Sequence, residues 1–161
     1  MPLATLHSLL DFIAQKIADD GLTDISLMGC FPPADQDLDS TIMWALIEKV
    51  AKAKLRKLSI GDFGNASHLS KALISRLIVE AIKNAPITFA RFRGTGFDGT
   101  MALKVLQAFN RGGNLTTLTD VRLASNPSFF NDRQRLGILC QFLKKQTSLR
   151  YVDFRYCEIG S

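Results

Sequence analysis

Histidine and cysteine are scarce in this chain, and their scarcity argues against several kinds of site. Only two histidines and three cysteines occur among 161 residues. The cysteines, Cys30, Cys140 and Cys157, are too widely spaced for a disulfide framework and include no Cys-x-x-Cys pair for zinc, so we expect them to be small core residues. Metal and acid–base catalysis have few groups to work with. The composition predicts a binding protein rather than an enzyme, without a cofactor, in a reducing, cytoplasmic setting.

Long apolar runs are also missing. No stretch approaches the roughly 18 consecutive apolar residues of a membrane-spanning helix, so we expect no membrane span. The N-terminal residues Met1-Pro2-Leu3 do not begin a basic segment followed by an apolar one, so we expect no secretory signal peptide. The remaining composition, 47% hydrophobic and 22% charged, is that of one folded domain over residues 1–161. A net charge of +5 does not by itself indicate nucleic acid.

A repeated hydrophobic pattern runs through the whole chain. The pattern is L-x-x-L-x-L-x-x-(N/C), and it starts at Leu22, Leu55, Ile87, Leu118 and Leu149. These starts are separated by 33, 32, 31 and 31 residues. Five occurrences at near-constant spacing indicate five copies of one structural unit. The strands are predicted near 24–28, 57–61, 89–93, 120–124 and 151–155.

Amphipathic helices are predicted between the strands, because apolar residues recur there at spacings of three and four. Their predicted ranges are 3–19, 38–54, 67–84, 99–111 and 132–146. Alternating strands and helices fit either a sheet covered on both faces or a sheet with helices on one face only. The strands alternate apolar with charged residues, as in residues 151–155, and burying so many charges would cost several kcal/mol each. One face of the sheet is therefore expected to face water.

In these features the chain resembles the leucine-rich-repeat family, in particular its ribonuclease-inhibitor-like subclass. Cys30, Asn126 and Cys157 stand at the ninth position, where the family has asparagine or cysteine, whereas Phe63 and Thr95 depart from it. The resemblance implies an α/β fold, a right-handed solenoid shaped like a horseshoe. A concave parallel sheet of about five strands would bind proteins, and the helices would form the convex side. Helix 3–19 would be the N-terminal cap.

The C-terminal end of the predicted array differs from the N-terminal end. No helix follows the last strand, near 151–155, so one edge of the sheet is open. We expect either that the chain is truncated from a longer array or that this edge forms a homodimer, and we favour truncation.

Arginines and aromatic residues are concentrated on the last three predicted strands. Side chains alternate between the two faces of a strand, and neighbouring strands lie about 4.8 Å apart, so Arg91 and Arg122 should lie side by side. Arginines beside aromatic rings on a preformed surface are typical of protein-binding hot spots. We predict that this surface, the arginine patch, binds an acidic protein partner. The arginine patch consists of Phe89, Arg91, Arg93, Arg122, Tyr151, Arg155 and Tyr156.

Two other interpretations of the same residues are open. The open face could be simply solvated, with Arg122 paired to Asp120 or Asp153. Nucleic-acid binding ranks below protein binding, because these two aspartates interrupt the basic surface. The segment 94–99 matches G-x-G-x-x-G, but the preceding strand is charged on one face, so we interpret it as an ordinary loop rather than a dinucleotide site.

The family resemblance also implies functions that the residues themselves do not specify. One branch of the subclass regulates small GTPases, which makes that activity the alternative to a general interaction module. Leucine-rich-repeat proteins without a signal peptide also occur among the proteins that bacteria inject into host cells. A bacterial effector translocated into a host cell is therefore a further expectation.

Overall fold

Helices and strands alternate along the chain, and all five strands join one sheet. The computed structural model describes residues 1–111 and 116–158. The elements are α1 (Leu3–Asp20), β1 (Asp24–Met28), α2 (Ser40–Lys52), β2 (Lys57–Gly61), α3 (His68–Asn84), β3 (Phe89–Arg91), α4 (Gly99–Arg111), β4 (Asp120–Arg122), a short 3₁₀ helix (Pro127–Phe129), α5 (Arg133–Lys145) and β5 (Tyr151–Asp153).

The sheet is parallel throughout, with the strands in chain order β1-β2-β3-β4-β5. The register follows the sequence repeat, so that equivalent positions of successive repeats are partners. The α/β fold with five parallel strands is therefore confirmed. Each helix packs on the helices before and after it in the chain, so the helices form a single layer. Among the described residues, no helix combines the length and apolar content needed to cross a bilayer.

The last three strands are shorter than predicted, with three residues each in place of five. Backbone hydrogen bonds continue beyond them, for example from Phe92 N–H to the Arg122 carbonyl at 2.8 Å. The chain then bends, because one residue per repeat adopts a left-handed backbone with φ between 56° and 67°. These residues occupy the same position in every repeat: Gly29, Asp62, Gly94, Ser125 and Tyr156. The shared bend lies one residue beyond β1 and β2 and three residues beyond β3, β4 and β5, and it turns the chain toward the helix layer.

Local sequence sets the helix starts. The carboxylates of Asp39, Asp98 and Asp132 accept hydrogen bonds from backbone N–H groups in the first turns of α2, α4 and α5, at 2.9–3.0 Å. The Ser67 hydroxyl does the same for α3 at 3.1 Å. Each of these caps satisfies an N–H group that has no partner within its helix.

The hydrophobic core lies between the sheet and the helix layer. In the loops after the strands, four phenylalanine rings stack from repeat to repeat at centroid distances of 4.9–6.5 Å. This row of rings consists of Phe31, Phe63, Phe97 and Phe129. Phe63, which departs from the ninth-position pattern, therefore has a packing role. Such ring pairs add stabilisation beyond the area they bury.

Two residues differ from the expected core. Val152, a predicted core position, is 45% exposed because β5 is the edge strand and no described element packs beyond it. The expectation that all three cysteines are core residues is wrong for Cys140, which is exposed on α5. Cys157 is buried, and burial raises the pKa of its thiol.

Candidate binding surface

The side chains on the open face of the sheet form rows that run across the strands. The first row is Asp24, Lys57, Phe89, Asp120 and Tyr151. The second row is Ser26, Ser59, Arg91, Arg122 and Asp153. Arg91 is thus the register partner of Arg122, as the repeat spacing predicts.

Arg122 lies between two aromatic rings. Its guanidinium carbon is 5.0 Å from the centroid of Phe89 and 4.6 Å from that of Tyr151, on the strands to either side. The same guanidinium donates to the Asp120 carboxylate at 3.2 Å. Its buried Nε has no acceptor among the described residues. The two stacked rings hold the arginine in one orientation and combine a cation–π interaction with an ion pair.

The other arginines of the arginine patch differ in how far they are neutralised. Arg155 forms a two-pronged pair with Asp153, at 2.9 and 2.8 Å. Arg93 lies 3.8 Å from Asp62, a distance that is too long for a hydrogen bond. Arg91 is half-buried and has no ion pair or side-chain hydrogen bond within the described part of the chain. Arg122 pairs with Asp120, one of the two partners that the solvated-face interpretation gives it, and Arg91 is available either to water or to a partner.

Asp153 is almost completely covered although it lies on the open face. Its side chain is 8% exposed, whereas the Arg155 side chain above it is 72% exposed. The hydrogen bond from Arg155 lowers the pKa of this carboxyl to about 2, and the Arg155 backbone N–H also lowers it. In this hydrogen-bonded pair the arginine is therefore the member that faces solvent.

Tyr156 stands apart from the arginine–aromatic cluster. It is 79% exposed, lies in the turn after β5 and makes no ring contact with an arginine among the described residues. The structure thus brings Phe89 and Tyr151 to Arg122 but leaves Tyr156 at the rim. The left-handed backbone at Tyr156, with φ of 57°, explains this placement because the chain has already turned away from the sheet.

A shallow depression lies beside the arginine patch, on the N-terminal part of the open face. Its volume is about 310 Å³. It is lined by Asp24, Ile25, Ser26, Lys57, Ser59 and Phe89. Sequence reasoning did not include Lys57 in the predicted site, although the register makes it the partner of Phe89. The repeat spacing was enough to place Lys57 beside Phe89. The neighbouring serines, Ser26 and Ser59, did not by themselves indicate a binding site.

A larger groove, of about 640 Å³, lies on the helix layer between α3 and α4. Three of the basic residues in its lining have ordinary structural explanations. Arg76 and Lys83 pair with Glu80, at 3.1 and 3.8 Å. Lys83 and Arg111 lie in the last turns of α3 and α4, where cations are favoured by the helix dipole. The open sheet face, with its stacked aromatic rings, is the stronger candidate site.

The G-x-G-x-x-G segment packs as a loop between repeats. Thr95 and Phe97 are buried, and Asp98 caps α4. A side chain at Gly96 would meet the backbone of Gly64 at 2.9 Å. The spacing thus serves packing against the preceding loop. Within residues 1–111 and 116–158, no group of histidine, cysteine or acidic side chains is arranged to hold a metal ion.

Comparison of this chain with family models, with curated proteins and with solved structures finds no match.

Proposed function

We propose that this protein is a leucine-rich-repeat solenoid that binds an acidic protein partner on the concave face of repeats three to five, without catalytic activity. The stacking of Arg122 between Phe89 and Tyr151 carries this proposal. Five parallel strands in register with the sequence repeat, and a single helix layer, support the solenoid.

The stacked arginine lowers the cost of binding. Ordering a free side chain at an interface costs about 0.5–1.5 kcal/mol, and Arg122 is already held in place by its neighbours. The exposed half of Tyr151 and the flat guanidinium offer a surface on which a partner can pack. Arginine and tyrosine are, with tryptophan, the residues enriched among the hot spots of protein interfaces.

Charge favours an acidic partner. Arg122 and Arg155 are already paired with aspartates, so their main contribution is shape and directed hydrogen bonding. Arg91 keeps its full charge, and the nearby Lys57 also has no partner among the described residues. An acidic group brought to these cations gains hydrogen bonds without displacing an internal partner.

The proposal also places the protein inside the cell. The three cysteines are free in the described structure, which suits a reducing compartment.

The test is affinity capture from a cell lysate with a matched set of baits. One bait is the wild-type chain and another carries Arg91→Glu, Arg122→Glu and Arg155→Glu together. The control is Arg133→Glu, which makes the same charge reversal at an exposed position on the helix layer. Circular dichroism establishes that all three fold.

We expect a protein that wild type and Arg133→Glu retain and that the triple variant loses. The purified partner should then bind the triple variant at least about tenfold more weakly, because each reversed charge opposes an acidic surface. If the triple variant captures the same proteins as wild type, the open sheet face is not the binding site.

A further inference from the structure

The depression beside the arginine patch contains several hydrogen-bond donors that nothing in the described structure uses. Ser26, Ser59 and Lys57 line it, and Arg91 is the register partner of Ser59 on the next strand. The side chains of these four residues make no hydrogen bond or ion pair with other described residues. Neighbouring strands are about 4.8 Å apart, so the donors are within reach of one small group.

The depression has an apolar side as well. Ile25 forms part of its lining, and the ring of Phe89 forms a wall. Phe89 is in register with Lys57, so the ring and the ammonium group belong to neighbouring strands at the same level. A ligand can therefore place an apolar stem against Phe89 while a charged head reaches the cations.

One group opposes an anion here. The Asp24 carboxylate lines the same depression, is in register with Lys57, and accepts a hydrogen bond from the Thr23 hydroxyl at 3.2 Å. It does not form an ion pair with Lys57, since no such contact within 4.0 Å exists among the described residues. Lys57 thus stays available to a ligand, and Asp24 weakens the attraction that the ligand experiences.

We propose that this depression, together with Arg91 on the adjoining strand, binds a phosphomonoester carried on one side chain of the partner; we call it the Lys57–Arg91 site. A phosphorylated side chain has a charge of about −1.5 to −2 and three acceptor oxygens, which suits two cations and two hydroxyl donors. A carboxylate has one charge and two oxygens and would leave donors unused. This inference rests on the proposed function, and it names the chemistry that the partner presents at the site.

The test is an NMR titration that follows backbone amide signals of the isotope-labelled chain. The probes are phenyl phosphate and the N-acetyl amide of phosphoserine, each compared with its unphosphorylated analogue at constant ionic strength. Trp44 lies on the helix layer, so its fluorescence reports only folding. We expect saturable shifts at Ser26, Ser59 and Arg91 with the phosphorylated probes only.

Substitutions that remove a positive or a negative charge at the site sharpen the test. Lys57→Met and Arg91→Met should each weaken binding of the phosphorylated probe about tenfold. Arg133→Met, a control that removes one positive charge at an exposed position on the helix layer, should leave the affinity unchanged. Asp24→Asn should tighten binding about threefold, because a like charge is removed. An increase in affinity is an effect that loss of folding does not produce.

Several results would overturn the inference. These are shifts that do not saturate, equal binding of the unphosphorylated analogues, or affinity unchanged by Lys57→Met. Tighter binding of phenyl phosphate would assign the site to phosphotyrosine, and tighter binding of the phosphoserine probe would assign it to phosphoserine. Arg91 and Phe89 belong to both sites, so the two proposals are separated by Lys57→Met, which leaves the arginine patch unchanged, and by a bait that carries only Arg122→Glu and Arg155→Glu. If the titration fails while lysate capture depends on Arg122 and Arg155, only the phosphate site is wrong.

Discussion

The two parts of the open sheet face differ in the size of their side chains and in how far these side chains contact one another. On β1 and β2 the central positions are Ser26 and Ser59, whose small side chains leave a depression lined with unused donors. On β3 to β5 the larger side chains engage one another, with Arg122 stacked between two rings and Arg155 paired with Asp153. A solvent-exposed sheet face can therefore carry small side chains that leave donors unpaired, or large charged side chains that are ordered by pairing with one another.

The loops after the strands divide in a similar way. In the N-terminal repeats the ninth position holds Cys30 and Phe63, of which Phe63 stacks on other rings. In the third and fourth repeats it holds Thr95 and Asn126, which bond to each other across the repeats. At the ninth position, ring packing is the main contact in the second repeat, and hydrogen bonding is the main contact in the third and fourth repeats.

Removing the buried asparagine should produce the largest difference between the halves. Asn126 accepts from the Thr95 N–H at 3.0 Å and from its hydroxyl at 2.6 Å, and its amide nitrogen donates to carbonyls of Phe92, Leu123 and Ala124. Asn126→Ala leaves several of these groups buried without partners and should cost about 4 kcal/mol of unfolding free energy in urea denaturation.

The matched control for that change is Cys30→Ala, at the equivalent position of the first repeat. Its thiol makes one weak hydrogen bond, at 3.4 Å to the Met28 carbonyl, so the cost should stay below about 1 kcal/mol. Equal costs for the two substitutions would contradict the division between a hydrogen-bonded half and a packed half.

Adding one methyl group at the junction of the two halves should produce the next largest effect. A Cβ at Gly61 would lie 2.2 Å from the Arg93 carbonyl oxygen, so Gly61→Ala must force β2 and β3 apart. We expect a loss of about 2–3 kcal/mol. Gly29→Ala meets nothing within 4 Å and carries only the strain of its φ of 67°, about 1 kcal/mol. Thermal unfolding of both variants measures the difference, and a larger loss for Gly29→Ala would exclude the close approach.

Removing the stacked charge should have a smaller effect. Arg122→Met loses its stacking with Phe89 and Tyr151 and its ion pair with Asp120, and should cost about 1 kcal/mol in urea denaturation. Arg93→Met loses only a 3.8 Å contact between half-exposed groups and should change stability by less than about 0.3 kcal/mol. If both variants lose the same unfolding free energy, the stacking of Arg122 contributes no measurable stability.

Acid should weaken the C-terminal half selectively, by a comparable or smaller amount. The pKa of Asp153 is about 2 in the folded chain and 3.8 without the fold, so its contribution is present above about pH 4 and is lost as the pH falls through 2. Because Arg155 is largely exposed, we expect a loss of only about 1 kcal/mol. Arg155→Gln should flatten this pH dependence in urea titrations between pH 5 and pH 2, and an unchanged slope would show that the pair contributes nothing.

The repeat spacing was sufficient to predict the strand positions, the helix layer and the register. It failed at the ends of β3, β4 and β5, which stop three residues before the left-handed position, whereas β1 and β2 continue to the residue before it. At Ser125 and Tyr156 the left-handed backbone is a conformation that neither residue type favours. Hydrogen bonds to the neighbouring repeat, such as Ser125 N–H to the Arg155 carbonyl at 2.9 Å, impose that conformation. Such bonds join residues far apart in sequence, so no local sequence pattern predicts them.

The sequence was enough to predict which residues of the arginine patch lie on neighbouring strands, but not which carboxylate each arginine pairs with. Register alone places Arg91 beside Arg122. Which carboxylate each arginine takes depends on side-chain directions and on the rings beside it, and there the structure pairs Arg122 with Asp120 and leaves Arg91 free.

Periodicity and repeat spacing encode the α/β alternation, the order of the strands and which face of the sheet is polar. Where the strands bend, which charges neutralise each other and where donors remain unused become visible only in the folded chain. The bends depend on contacts between repeats, such as that between Thr95 and Asn126 at a separation of 31 residues. The ion pairs of Arg122 and Arg155 join residues of one repeat, and there the side-chain directions and the neighbouring rings decide.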